Sequence, residues 1–375
     1  MKAKARTGIS YRMKIACLQF NPHIGKVQDN IHKADEILEN ALGIEDIQDK
    51  VDVLVLPELA FTGYVFDSKA SIRPFLEPTT SGITTQWAQS TSRRLRCYTI
   101  VGYPELANGY RPPSRYPRAS DPFSETPIEV DDEDDDRIQD YSYNACVVTS
   151  PDGEVVTNYR KTFLYVTDER WSSEGSSFGT ITLTFPSTPS PKSITLALGI
   201  CMDINPYRFE APFGAYEFAN HILSTGAQLA IVPMAWETKD AITDSQLQRL
   251  QKVRHNSTVN YWANRLEPLF GIQDEDDEED EVEVNTPAET EDEDEGEGEW
   301  VKLPQGKAAQ GNQKEQEKVI FVTCNRTGRE NGTLFMGSSV VMTIRKKDET
   351  RSGSLEKLES LGMGEEQLMI VDVDV

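Results

Sequence analysis

Apolar residues recur along this chain in short continuous runs, separated by stretches whose apolar positions repeat at helical spacing. The runs KIACLQF (14–20), DVLVLPE (52–58), CYTIVGYPE (97–105), SITLALGIC (193–201), QLAIVPMAW (228–236), KVIFVTCNR (318–326), GSSVVMTI (337–344) and EQLMIVDVDV (366–375) read as strands. DVLVLPE is apolar on both alternating faces until Pro57 and Glu58, the pattern of a strand covered on both sides. DNIHKADEILENAL (29–42) places Ile31, Ala34, Ile37, Leu38 and Ala41 on one helical face, and further helices are predicted near 82–95, around 214–224 and over about 244–266. YNACVVTS and EVVTNYRK flank PDG, a hairpin turn signal. With no internal repeat, this alternation predicts one layered α/β domain over residues 13–375.

Charge then divides the chain. Residues 127–140 carry a net −7 and residues 274–299 a net −17, which together account for the whole formal charge of −24. Like-charged runs with so little apolar content repel themselves and bury too little surface to order. Segments 119–140 and 273–316 are therefore expected to be acidic, disordered insertions on a neutral body. No basic patch offsets them, which argues against a nucleic-acid partner. No apolar run is long enough to span a membrane, and MKAKARTGISYRM lacks the apolar core of a secretory signal. The five cysteines, an odd number without a CxxC pair, argue for a reducing compartment and against a zinc or disulfide framework.

The candidate chemistry lies where apolar runs end. Cys17, Cys97 and Cys146 fall inside strands and read as small buried hydrophobes. Cys201 stands at a strand-to-turn junction, where free backbone N–H groups are expected to lower a thiol pKa. A nucleophilic cysteine needs a proton acceptor and a means of holding an oxyanion. Of the four histidines, His221 is the one candidate partner, on a helix as an ordinary amphipathic position. Glu58 and Lys161 occupy strand ends comparable to that of Cys201. GSSFG (175–179) matches a serine-hydrolase elbow but follows a polar stretch with no strand before it, so the match carries no chemistry.

Three segments resemble, in chain order, the motifs of the nitrilase (carbon–nitrogen hydrolase) superfamily: LPELAFTGY its glutamate motif, YRKTFLY its lysine motif and GICMDINPY its nucleophile motif. KIACLQFNPHIGKVQDNI is similar to the family's first strand and helix, and the matches span most of residues 13–345. Phe163 stands where many members have histidine. With TFLYVTDERW, CMDINPYRFEAP and CNRTGRENGTLFMGSS, this departure makes the chain most similar to the N-terminal amidase branch.

The resemblance implies a four-layer α-β-β-α sandwich and an amidohydrolase. Cys201 would attack the amide carbon, Glu58 would carry the proton, and Lys161 with the Met202 backbone N–H would hold the oxyanion. The family's second glutamate falls at Glu169, with adjacent Asp168 as the alternative. The implied substrate is a protein or peptide N-terminus bearing Asn or Gln, deamidated without metal or cofactor, as in the N-degron pathway. Its α-ammonium would need a carboxylate, Asp203 first and Glu237 second, with Trp236 as a wall. The expected setting is cytoplasmic, with nucleus and mitochondrion as alternatives, and the oligomeric state is left open. Rival functions are a small-molecule amidase of the omega-amidase or carbamoylase type, and a non-catalytic module that binds through its acidic insertions.

Overall fold

The computed structural model describes residues 11–43, 48–108, 140–186, 191–238, 243–271, 318–346 and 353–375. The predicted insertions fall outside them, except that Asp140 already belongs to a strand. The chain opens with β1 (Arg12–Gln19), α1 (Val27–Leu42), β2 (Val53–Val55) and one helical turn, α2 (Lys69–Ile72). There follow β3 (Glu77–Pro78), α3 (Ile83–Leu95), β4 (Tyr98–Asn108) and the hairpin β5 (Asp140–Thr149) and β6 (Val155–Arg160). The second half runs through β7 (Gly179–Phe185), β8 (Lys192–Leu198), α4 (Glu217–Thr225), β9 (Leu229–Met234), β10 (Glu237–Thr238) and α5 (Asp244–Asn264). It closes with β11 (Lys318–Asn325), β12 (Thr327–Glu330), β13 (Thr333–Met336), β14 (Val340–Arg345), β15 (Ser354–Ser360) and β16 (Gln367–Asp374).

These strands form two large sheets, ordered β16-β1-β2-β4-β5-β6 and β15-β14-β11-β9-β8-β7, and a small one ordered β10-β13-β12. The centre of each large sheet is parallel: β1, β2 and β4 in one, β8, β9 and β11 in the other. Alternation along the first sheet explains the unbroken apolar runs. Ile15, Cys17, Val53, Val55, Ile100, Cys146 and Val148 point into the core between the sheets. Their neighbours Ala16, Leu18, Leu54, Val101, Ala145 and Val147 point the other way, against α1 and α3. Each large apolar side chain so buried contributes about 1.5–3 kcal/mol, which fixes the register because a one-residue slip would exchange the two faces. On the far side, Phe218, Ala219 and Ile222 of α4 and Val259 and Trp262 of α5 complete the fourth layer.

Two details differ from the sequence expectations. DVLVLPE is a strand only over Val53–Val55. Leu56 still donates to Ile100 (2.9 Å), but Pro57 has no N–H, so the ladder ends there. On α1, Leu42 rather than Ala41 is buried, and Asn30 enters the packed face because its amide bonds the carbonyls of His23 and Phe61. The GSSFG match, as expected, leads into β7 and does not follow a strand, so it has no elbow geometry. Among the described residues no helix is long and apolar enough to cross a membrane.

Candidate active site

Glu58, Lys161 and Cys201 meet because three strand ends converge. Past β2 the chain turns back through Leu59, whose left-handed φ of 46° costs of order 1–2 kcal/mol for a non-glycine residue. The turn packs on Gly102 of β4, where a Cβ would lie 2.6 Å from the Leu59 nitrogen and 2.8 Å from the Glu58 Cα, so only glycine fits. Lys161 directly follows β6 and is anchored by its N–H to the Asn144 carbonyl at 2.8 Å. The loop it begins returns at Gly175, which donates to the Lys161 carbonyl at 2.7 Å. Beyond β8, Gly199 donates to Ile231 of β9 at 3.2 Å, and the chain enters a single 3-10 turn, Cys201–Ile204. Cys201 itself adopts φ 41°, a second strained non-glycine residue at the same site.

Lys161 is fully buried, and its Nζ donates to Glu58 Oε1 at 2.5 Å and Asp168 Oδ2 at 2.6 Å. Asn144 Nδ2 spans the same two carboxylates, at 2.6 Å to Glu58 Oε1 and 2.9 Å to Asp168 Oδ1. The Ala235 N–H, just past β9, donates to Glu58 Oε2 at 2.8 Å. Tyr64 Oη and the Tyr165 N–H complete the Asp168 shell at 3.3 and 3.0 Å. Burial raises the Glu58 pKa above the ordinary carboxylate range, with Lys161 the strongest opposing influence. Burial alone would lower the Lys161 pKa, but Asp168 and Glu58 outweigh it and hold the ammonium charged. The Cys201 thiol is pushed well up, first by burial and then by Glu58. The expected lowering by free N–H groups is thus overturned, because loss of solvent outweighs the Lys161 charge and the nearby Ala235 N–H. The arrangement pairs a neutral thiol with a neighbouring carboxylate and a fixed cation, the elements of base-assisted attack on a carbonyl carbon.

The carbon–nitrogen hydrolase family matches residues 14–205, a span that contains all three of these strand ends. Over 362 residues the chain is 30% identical to the protein N-terminal amidase of Schizosaccharomyces pombe, covering 93% of this chain and 97% of that protein. The chain is a carbon–nitrogen hydrolase. The protein N-terminal amidase of Saccharomyces cerevisiae is 32% identical over 255 residues, 65% of this hydrolase, which spans only about half (49%) of that relative's length. A crystal structure of an N-terminal amidase with a Gln-Val peptide superposes with a TM-score of 0.69 at 25% identity, covering 97% of this chain and 98% of the other. The nitrilase-type sandwich expected from the motifs is the fold observed.

Around this centre the hydrolase rearranges several expected residues. Glu169 points away from Lys161 to Arg208 (3.3 Å) and is partly exposed, whereas Asp168 is buried on the lysine. Successive residues of a 3-10 turn diverge by about a third of a revolution, so only one of the two can face inward. Asp203 does not offer a carboxylate to a ligand. Its Oδ1 accepts from the N–H groups of Thr162 (3.1 Å) and Phe163 (2.7 Å), and its Oδ2 from Tyr159 Oη (2.6 Å) and Ile200 N–H (2.7 Å). Burial raises its pKa to about 6, and its position ties the cysteine turn to the lysine loop. His221 bonds Thr180 Oγ1 and the Gly179 carbonyl, so it is engaged away from a dyad role.

Met202 is buried in the turn, and its N–H has no acceptor among the described residues. Trp236 is partly buried against Tyr261 and Trp262. Half-buried Glu237 accepts from the Tyr165 hydroxyl and lies close enough to Tyr64 to act on it together with Cys201. Asn144 and Ala235 carry no motif signal, whereas Tyr64 closes the glutamate motif LPELAFTGY without a role being assigned to it. Asn144 left a trace only as a polar residue opening the apolar run YNACVVTS.

Proposed function

We propose that this hydrolase deamidates the side chain of an N-terminal Asn or Gln on proteins and peptides, releasing ammonia and leaving Asp or Glu. The observation that carries the proposal is the buried Lys161 held between two carboxylates beside a neutral thiol on a strained turn. The kinship to N-terminal amidases supplies the substrate class. In this cycle Glu58 takes the Cys201 proton as sulfur attacks the amide carbon. The resulting oxyanion is met by the Lys161 ammonium and the Met202 N–H. Glu58 returns the proton to the departing ammonia, then activates a water that opens the thioester and frees the acid.

With Asp203 consumed by four donors, Glu237 is the carboxylate we assign to the substrate α-ammonium, with Tyr165 orienting it and Trp236 beside it. Such chemistry would act early in an N-degron pathway. The free state of Cys17, Cys97, Cys146, Cys201 and Cys324 accords with the reducing cytoplasmic setting we infer.

Mass spectrometry of Asn- and Gln-initiated peptides tests the proposal, each peptide with a free and with an acetylated N-terminus. The expected result is a gain of about one dalton, amide to acid, on the free amines only. Equal rates on the acetylated peptides would refute α-amine recognition and return the hydrolase to the small-amide amidases.

A further inference from the structure

We propose that Asn144 is a positioning residue that keeps Glu58 in its proton-accepting form. Glu58 and Asp168 share one ammonium, so the buried cluster carries a net negative charge that Lys161 alone cannot neutralise. Asn144 Nδ2 places one hydrogen on each carboxylate, at 2.6 and 2.9 Å. A neutral amide nitrogen is suited to this place: a hydroxyl has one hydrogen to give, and a second ammonium would change the charge. The amide orientation follows from the chemistry, since its oxygen cannot face two carboxylates. That oxygen, Oδ1, is instead buried without a partner among the described residues, an unmet acceptor tolerated for the sake of the two donors.

The backbone holds the side chain in place on β5. The Asn144 N–H donates to Ser172 Oγ at 2.9 Å, and its carbonyl accepts from Lys161 at 2.8 Å. The other titratable or charged groups acting at Glu58 are Lys161, Asp168, Cys201, Tyr64, Cys146 and Arg326, and Arg326 is already paired with Glu330 at 2.6 Å. Against the burial that raises the Glu58 pKa, the Asn144 hydrogen bond acts in the lowering direction.

The inference rests on Glu58 as the base for Cys201 but not on the identity of the substrate, so its test uses no peptide. The rate of Cys201 alkylation by iodoacetamide is followed by peptide mass spectrometry from about pH 5 to about pH 9, a range spanning a raised carboxylate and an ordinary thiol. Cys201 is 6% exposed where the other four cysteines are 0%, so its labelling can be read by itself. In the wild type the rate should fall on acidification, and Glu58→Gln should remove that limb. Asn144→Leu, of similar volume but without donors, should move the limb to higher pH by about one unit, the equivalent of one charge-assisted hydrogen bond. Asn144→Ser, with one donor, should move it less. A limb abolished by Glu58→Gln yet unmoved in folded Asn144→Leu and Asn144→Ser would overturn the proposal. If neither variant folds, Asn144 belongs to the fold and the proposal falls. If the wild type has no Glu58-dependent limb, the base assignment itself fails and takes the inference with it.

Discussion

Replacing Lys161 with methionine separates what this lysine does for stability from what it does for chemistry. In Lys161→Met two buried carboxylates, Glu58 and Asp168, face each other without their cation. Removing one partner of a buried ion pair costs about 3–5 kcal/mol, because the charge left behind is neither solvated nor paired. The variant escapes by protonating Glu58, whose pKa is already raised by burial and loses its strongest lowering influence. The sign follows directly. A carboxyl whose folded pKa exceeds its unfolded one binds more protons when folded, so stability falls as pH rises between the two. Each pH unit in that window costs about 1.4 kcal/mol. Urea unfolding should therefore find Lys161→Met destabilised by about 3–5 kcal/mol at pH 8, with most of the loss recovered at pH 5. Adding Asp168→Asn should restore much of the stability at pH 8 while leaving the enzyme inactive. Loss of an oxyanion donor alone costs about 10²–10³ in turnover. A destabilisation equal at both pH values would refute the reasoning, since it would mean that the lysine acts by packing and not by charge.

Cys201→Ser should abolish turnover with an unchanged melting profile, because a hydroxyl is far less nucleophilic than a thiol at neutral pH. Asp168→Asn should lower kcat by about two orders of magnitude or more, whereas Glu169→Gln should stay within a few-fold, its carboxylate being spent on Arg208 at the surface. The acid limb of kcat/KM should lie above the ordinary glutamate range and vanish with Glu58→Gln, as the raised Glu58 pKa requires. Deleting residues 274–299 should leave the rate on a short peptide within a few-fold, and a collapse in rate or soluble yield would show that the acidic run packs on the body.

Glu58 and Lys161 were legible because each ends a strand run with a charge that is costly to bury. Cys201 stood out from Cys17, Cys97 and Cys146 by position, at a strand-to-turn junction instead of inside a strand. What spacing could not resolve was the choice between Asp168 and Glu169, which differ by one position in a turn whose direction depends on the loop's closure at Gly175. Asp203 misled through proximity in sequence. A carboxylate two residues from the thiol looks available until the Thr162, Phe163, Tyr159 and Ile200 donors that fill it, three of them about forty positions upstream, are brought beside it. Strand β7 escaped notice because Thr180, Thr182 and Thr184 alternate with apolar residues and leave no continuous run. Hairpin β12–β13 is too short to show a period.

The charge inventory also explains why a raised thiol pKa is compatible with a cysteine nucleophile. One ammonium and two carboxylates leave the resting centre with one net negative charge, and a preformed thiolate would add a second inside a site from which water is excluded. Burial opposes that state, as the direction of the Cys201 shift indicates. Moving the proton from Cys201 to Glu58 instead relocates the existing charge without creating another, so the desolvation cost is met once, in the fold, and not again in each turnover. The charge passes from carboxylate to sulfur and then to the amide oxygen, and Lys161 stays within reach of the cluster throughout. In the proposed cycle the cation's fixed position between Glu58 and Asp168 therefore matters more than its strength. A lysine free to follow one carboxylate would stabilise the resting state best and the oxyanion least.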